Sequence, residues 1–373
     1  MENKMITINA SALPVKTWRY LKINETSIPV PEKVNGKGNI SIENSAKNVS
    51  VADSNFADAI NKISSFTTGK KIKIEGALGS SFWTWFENQN PKTTVFNVTA
   101  NKSDGTKENS FVRISLKDKD ELAKLFIIKT QKESKANFVF DISSEKNTKT
   151  GFAAVYIICL LEENSEIKIS QSQFLGNSSV FAGNVVSFQK ENSRLSVVRG
   201  NFGSEKSWIG LKANLEGEMS EIDDQLAYIT DGNQTLDINN IATHHGKKTK
   251  CNFNGQGVML GKSYKNYKGT IDFIRGCAAS EGSELEDVLL LSDDAINKTT
   301  PIILCDEEDV VGNHGATLGK IDENLLFYME SRGIGKNKAR QMVANGKLCK
   351  VINLIPDEKI VEKALAYIEQ VFN

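Results

Sequence analysis

Short runs that alternate polar with apolar residues dominate the chain from about residue 94 to about residue 318. They are rich in Val, Ile, Phe and Thr, and Gly, Asn, Asp and Ser separate them, as in FVRISL, NFVFDI and RLSVVRGNF. A period of two predicts β-strands, and the polar segment Lys117 to Lys124 is the only one there with a helical pattern. So many short strands predict a mainly β fold, either a sandwich, a barrel or a β-solenoid.

Two features of these runs favour the solenoid. Proline is scarce between the runs, although sandwiches often use it at edges and turns. Polar corners with Asn, Gly and Ser suit stacked turns that bury their faces only against neighbouring turns. The longest apolar run, Phe152 to Leu161, is about half as long as a bilayer span requires, so we predict a fully buried strand there.

The N-terminal part of the chain, residues 1–94, has a less regular pattern. We predict a largely irregular α/β region with a helix from Ser54 to Ser65 and a strand from Lys71 to Glu75. The aromatic segment Ser81 to Phe86 is expected to pack against the β-rich core, residues 95–320.

The C-terminal part, residues 321–373, changes to a helical period and predicts a unit of three helices. Asp322 is a suitable N-cap for the first helix, and Gly333 stands where a C-cap glycine belongs. The second helix is predicted from Lys336 to Asn345, ending at Gly346. Pro356 precedes the third helix, whose apolar stripe is typical of a face packed on a core.

The composition of the chain argues against several classes of function. The 373 residues contain 46 Lys plus Arg and 46 Asp plus Glu, and this balance argues against a nucleic-acid binder. The N-terminus has no apolar region typical of a signal peptide, so we expect a soluble, cytoplasmic protein that does not bind membranes. The five cysteines form no CxxC pair, and each is expected to be a small buried hydrophobe rather than a disulfide or zinc ligand.

No strong catalytic motif is present. The chain lacks a Walker A loop, a GxGxxG turn and a GxSxG elbow. Its paired acids, Asp293–Asp294 and Glu307 to Asp309, are expected in solvated turns. Histidine, which binds metals and transfers protons near neutral pH, occurs only three times. We expect a structural role for His245, leave structure and function equally open for His244, and favour function for His314, predicted in a tight turn between Gly312 and Gly315.

Several ordered blocks resemble the SufB/SufD family of iron–sulfur cluster assembly proteins. They run from roughly His244 to Gly346, and the WRY sequence at Trp18 gives weaker support. The blocks are His244 with Thr249 and Cys251, Leu289 to Ser292 with Ala295 and Pro301, Asp309–Val310, His314 to Thr317 with Gly319, Leu326 to Tyr328, and Ser331 to Ile334. The HGAT sequence at His314 is more similar to the SufD branch. SufB has a functional cysteine near the position of Glu286, whereas Ser283 to Val288 contains none.

The resemblance implies a right-handed parallel β-helix with helical ends, and a scaffold rather than an enzyme. Its implied partners are a SufB-like subunit and a SufC-type ATPase. His314 and His244 are then the cluster-assembly candidates, and His314 is the candidate metal ligand. No cofactor would be bound stably, although a transient iron–sulfur cluster could form at the subunit boundary. The residues implied to bind the ATPase are Leu326, Phe327, Tyr328, Arg332 and Gly333.

Two alternatives stay open at the level of sequence. One is a stand-alone β-helix enzyme that acts on polysaccharide, for which a groove of paired acids and basic residues would be the signature. The other is a homo-oligomeric scaffold of the same family, including a homodimer, that needs no SufB-like subunit.

Overall fold

The computed structural model describes residues 4–17, 19–67, 74–100, 108–145, 148 and 150–373. The described residues form the following strands: β1 Met5–Ala10, β2 Thr26–Pro31, β3 Asn39–Asn44, β4 Val49–Ser54, β5 Thr93–Val98, β6 Asn109–Leu116, β7 Asp120–Thr130, β8 Lys135–Ser144, β9 Thr150–Leu161, β10 Glu166–Phe174, β11 Ser178–Gln189, β12 Arg194–Phe202, β13 Lys206–Leu215, β14 Glu221–Thr230, β15 Thr235–His244, β16 Lys250–Met259, β17 Tyr264–Phe273, β18 Ser280–Leu290, β19 Ile296–Cys305 and β20 Val310–Lys320. The helices are α1 Phe56–Phe66, α2 Ser80–Asn88, α3 Glu323–Ser331, α4 Lys336–Ile352 and α5 Glu358–Phe372.

The strands build a parallel β-helix of about eight turns, as the sequence predicts. Even-numbered strands from β6 to β20 pair in parallel in one nine-stranded sheet, and odd-numbered strands from β5 to β19 do so in a second. The chain therefore alternates between two facing sheets, and each turn pairs only with the turns before and after it. The helical pattern at Lys117 to Lys124 was a wrong prediction, because a tight turn there leads directly into β7.

One corner of the β-helix is a column of residues in the left-handed backbone region. Their φ angles lie between 52° and 60°, although none is glycine. The amide of each residue donates to a carbonyl in the following turn, for example Lys248 to Ala278 at 2.9 Å and Ala279 to Asp309 at 2.6 Å. The stacked hydrogen bonds offset the cost of this backbone conformation. The column consists of Glu133, Asn164, Asn192, Met219, Lys248 and Ala279.

The N-terminal region is more regular than predicted. It forms four strands, of which β3 and β4 add an antiparallel strand to each main sheet. The aromatic helix α2 packs against the β-helix as expected: the rings of Trp83 and Phe86 lie 5.0 and 4.6 Å from the ring of Tyr156. The predicted strand from Lys71 to Glu75 falls mostly outside the described residues, and Ile74 and Glu75 form a turn.

Helices α4 and α5 cover the outer face of the sheet of even-numbered strands, where they share an apolar cluster with residues such as Ile229 and Val258. Helix α4 does not end at Asn345, as predicted, but continues to Ile352. Gly346 costs a helix about 1 kcal/mol, and the burial of Leu348 and Ile352 beyond it outweighs that cost. The division of the chain near residues 94 and 320 stays a prediction.

Candidate functional site

The site is built on the last turn of the β-helix, where β19 and β20 form the open end. His314 lies in the middle of β20 and is exposed, so the predicted tight turn around it is wrong. Gly312 is needed for packing rather than for a turn, because a Cβ there would lie 3.0 Å from Ile303 and 3.2 Å from Phe273 across the interior. Since side chains alternate along a strand, His314 belongs to the same inward row as Gly312.

Glu284 occupies the next strand inward and pairs in register with His314. Its side chain is 2% exposed, and the hydroxyl of Tyr267, on the facing sheet, lies beside its carboxyl group. Burial, together with the charge of Glu286, raises the pKa of Glu284 to about 8, while the Tyr267 hydroxyl acts in the opposite direction. Glu284 is therefore a largely neutral acid at neutral pH.

Gly269 makes room for this acid from the facing sheet. A Cβ at Gly269 would lie 1.7 Å from Oε1 of Glu284, so no other residue type fits there without moving the carboxyl group. On this side the carboxyl group is thus held against bare backbone.

A second buried acid, Glu286, lies one inward position further along β18 and is fully satisfied. Lys265 Nζ lies 2.7 Å from both of its carboxylate oxygens. Tyr228 donates its hydroxyl to Oε1 at 2.7 Å, and Thr299 donates to Oε2 at 2.7 Å. Burial lowers the pKa of Lys265, and the adjacent carboxylate opposes that shift. The interior beneath the open end is therefore polar and contains two buried acids.

His244 ends β15, two strands further from the open edge than β19, and the structure does not bring it together with His314. Its Nδ1 lies 2.7 Å from Oγ1 of Thr249, whose hydroxyl lies 2.8 Å from that of Ser280. The ring packs on Phe273 at 4.7 Å. Burial, and secondarily His245, lowers the pKa of His244 to about 4, so its imidazole is neutral at neutral pH.

Helix α3 presents the residues predicted to bind an ATPase. Asp322 caps it by accepting from the amide of Asn324, and Gly333 follows it at a φ of 82°, as predicted. The helix has no buried residue, and Phe327 is 73% exposed. Leu326 is half-buried, Tyr328 is exposed, and the Arg332 guanidinium lies 5.3 Å from the Tyr328 ring.

The cysteines divide into two groups. Cys159, Cys251 and Cys277 are buried and Cys349 is half-buried, whereas Cys305 is exposed at the end of β19, contrary to the prediction. Its Sγ donates to the carbonyl of Glu307 at 3.0 Å. Among the described residues, no three His, Cys, Asp or Glu side chains are grouped closely enough to hold a metal ion.

Sequence reasoning missed Glu284 and the Lys265–Glu286 pair. A signal was present: in EGSELEDVLL the two acids share the parity of Val288, which belongs to the core. That parity places both acids inside the β-helix.

A parallel β-helix with a polar, open last turn and a helical C-terminus is the class of protein that these observations define. The model for "SUF system FeS cluster assembly, SufBD core domain" matches residues 113–347, more than half of the chain, and the chain belongs to this family. The resemblance seen in the sequence is thereby confirmed, and the family takes part in iron–sulfur cluster assembly.

Individual members of this family are similar to the chain in sequence. The chain is 31% identical over 157 residues to "Iron-sulfur cluster assembly protein SufD" of Bacillus subtilis, which covers 42% of this chain and 36% of that protein. It is 28% identical over 168 residues to the chloroplastic SufBD family protein ABCI8 of Arabidopsis thaliana, a match that covers 45% of this chain and 30% of that protein. It is 27% identical over 219 residues to the SufBD family protein slr0074 of Synechocystis, a match that covers 56% of this chain and 45% of that protein. The chain thus spans less than half the length of these relatives.

Proposed function

We propose that this chain is a SufD-like scaffold subunit, rather than an enzyme, in an ATPase-driven complex that assembles iron–sulfur clusters. In this proposal it pairs with a SufB-like subunit and binds a SufC-type ATPase. The observation that carries the proposal is the open last turn of the β-helix, which leaves two long strands with a neighbour on one side only. The cytoplasmic location stays a prediction, and across the described residues no helix combines the length and apolar composition of a membrane span.

The open end supports pairing with a second subunit. Strands β19 and β20 are 10 and 11 residues long, and their outer edges offer backbone groups for strand addition. Large apolar side chains are exposed on this turn: Ile296 is 52%, Val311 55% and Leu318 54% exposed. Long edge strands with exposed apolar residues are expected to be covered by a partner.

Helix α3 supports binding of the ATPase. Its Phe327 and Tyr328 are exposed aromatic residues close to Arg332, and such residues are enriched where protein partners bind. Helices α4 and α5, by contrast, use their apolar faces on the β-helix itself. Helix α3 is therefore the C-terminal helix whose aromatic residues, Phe327 and Tyr328, are exposed for a partner.

The position of His314 supports a role in cluster assembly at the subunit boundary. It is exposed on the open turn, where an imidazole nitrogen can reach iron or sulfur held between two subunits. In this proposal the iron–sulfur cluster is a transient cargo of the complex. His244 stays the second candidate in this proposal, because its Nδ1 bonds to Thr249 while its buried Nε2 has no hydrogen-bond partner among the described residues.

The rival function, an enzyme acting on polysaccharide, has less support. Asp293 forms an ion pair with Lys320 at 2.5 Å, and Glu307 accepts from the amide of Gly276. The outer face of the even-numbered sheet carries charges that alternate in register and pair with one another rather than forming paired acids. This charged row consists of Lys135, Glu166, Arg194, Glu221, Lys250 and Glu281.

Co-purification tests the proposal. The full chain is co-expressed with the SufB-like subunit and the SufC-type ATPase from its own genome, and the complex is measured by size exclusion with light scattering. We expect Leu318→Asp to abolish pairing with the SufB-like subunit, whereas Val51→Asp, on the opposite end of the β-helix, leaves it intact. Phe327→Ser should weaken ATPase binding at least tenfold, and Leu354→Ser, which alters a similarly exposed apolar residue, should not.

Two results would contradict this function. If neither protein co-purifies with the unaltered chain, the scaffold role fails. If the chain alone forms a dimer that Leu318→Asp disrupts, and the SufB-like subunit does not bind, the homo-oligomeric alternative replaces it.

A further inference from the structure

The loop that joins β1 to β2 is long for a connection between paired strands. It covers residues 11–25, all of them described except residue 18, whereas hairpin connections have roughly two to five residues. Loops of this length usually have a function, because a shorter connection would serve the hairpin equally well. We call residues 11–25 the β1–β2 loop.

Polar contacts fix the course of the β1–β2 loop along the odd-numbered sheet. Near its start, Lys268 donates to the carbonyl oxygen of Ser11 at 2.6 Å, and Asn239 donates to the next carbonyl along the chain at 3.4 Å. Further along the loop, Lys298 donates to the carbonyl oxygen of Leu21 at 2.7 Å. The three donors belong to β17, β15 and β19, so the loop extends to the last odd-numbered strand, at the open end.

The tip of the loop, Arg19–Leu21, is held by hydrogen bonds rather than by burial. Oδ1 of Asn24 accepts from the amide of Thr17 at 2.6 Å, and its Nδ2 donates to the Thr17 carbonyl at 3.1 Å, which closes the chain around the tip. The tip is one turn of 3₁₀-helix without a buried residue, and Tyr20 is 71% and Leu21 38% exposed. Such a tip is pre-organised, and Arg and Tyr are enriched where proteins bind one another.

The position of the tip on β19 identifies what would cover it. Lys298, which bonds to the tip, alternates along β19 with the inward-facing Thr299 and therefore lies on the outer face. Ile296 is 52% exposed and belongs to the same outward row. A strand added to the open edge of β19 would lie only about 4.8 Å beyond it. The subunit that provides such a strand therefore meets the tip on the outer face.

We propose that the tip of the β1–β2 loop is a specificity-determining contact with the SufB-like subunit, on the outer side of the edge strand β19. The identity of the partner rests on the proposed function. Backbone pairing along an edge strand contributes affinity but little discrimination, which comes from side chains that fit a recess on the partner. Tyr20 and Leu21 provide such side chains, so the recess on the partner is apolar.

Calorimetric titration of the full chain with the purified SufB-like subunit tests this contact. We expect Tyr20→Asp to weaken binding about tenfold or more, because an apolar contact is replaced by a charge. Lys298→Met removes the bond to the Leu21 carbonyl and leaves the tip residues in place, so it should weaken binding by a smaller factor. Met5→Asp is the matched control: Met5 is 51% exposed on β1, within the same hairpin, and its variant should bind like the unaltered chain.

The outcomes separate this contact from the proposed function. If the SufB-like subunit binds Tyr20→Asp as tightly as the unaltered chain, the contact is overturned and the proposed function stands. If the subunit does not bind the unaltered chain, both are overturned. A dimer of this chain that Tyr20→Asp disrupts, in place of the complex, would make a second copy the occupant. A marked drop in the melting temperature of Tyr20→Asp would make the tip a structural element instead, since no burial at the tip is lost.

Discussion

Lys265 and Glu286 form an ion pair inside the β-helix, with Nζ 2.7 Å from both carboxylate oxygens and the two side chains 0% and 1% exposed. Removing one member of such a pair leaves a buried charge without compensation. We predict that Lys265→Met lowers the free energy of unfolding by about 3–5 kcal/mol. Urea unfolding followed by circular dichroism measures this loss.

The double variant Lys265→Met with Glu286→Leu is the control for this interpretation. It removes both charges, so it should recover much of the stability that Lys265→Met loses. Equal destabilisation of the single and double variants would show that packing, rather than charge, controls this position.

Gly269 is expected to be required because of Glu284. Gly269→Ala places a Cβ 1.7 Å from Oε1 of Glu284, which forces the buried carboxyl group to move. We predict a loss of about 1–3 kcal/mol in the free energy of unfolding, typical of an overfilled core. Adding Glu284→Ala should restore part of it. Gly319→Ala, where a Cβ meets no atom within 4 Å, should change stability by less than about 0.5 kcal/mol.

The burial of His244 makes stability depend on pH. Its pKa falls from 6.5 to about 4 in the folded chain, so the unfolded state binds more protons between these values. The free energy of unfolding therefore falls as the pH drops from about 6.5 to about 4, and this histidine accounts for a loss on the order of 3 kcal/mol.

Urea unfolding at pH 7 and pH 4.5 measures this effect. His244→Gln lacks the titrating group, so its stability should fall less than that of the unaltered chain over this range. Parallel decreases in the two proteins would contradict the assignment. A smaller stability of the variant at pH 7, from its altered contact with Thr249, would not.

A substitution in the column of left-handed corner residues is expected to stabilise the fold. Ala279 has a φ of 60° and is exposed, so a glycine there relieves backbone strain without losing packing. We predict that Ala279→Gly raises the melting temperature, with a gain of about 0.5–1 kcal/mol. Ala52→Gly, at an exposed strand position without a positive φ, should instead lower it. A decrease for both variants would mean that the hydrogen-bonded column already removes the strain.

Local patterns predicted the architecture better than the site. Alternation identified the strands because each strand buries one side, and the buried run at Phe152 is one of them. The turn predicted at His314 was wrong because a glycine can be required by packing: Gly312 lies against Ile303 and Phe273 from distant segments. The partners of Glu286 could not be predicted for the same reason, since they depend on register between strands.

Truncation after Gly319 would not separate the C-terminal helices cleanly from the β-helix. Helices α4 and α5 share an apolar cluster with the β-helix, so their removal would expose core residues such as Ile229 and Val258. Point variants of α3 are therefore the cleaner test of partner binding.

The open end also determines where the molecule is least resistant to local opening. Each turn is stabilised by its neighbours, and β19 and β20 have a neighbour on one side only. Their amides should therefore exchange with solvent faster than those of β9 or β11, which lie in the middle of the β-helix. Because His314 is on this labile turn, any ligand or subunit bound there would slow exchange most strongly in β19 and β20. Occupancy of the site and order of the last turn are thus thermodynamically linked.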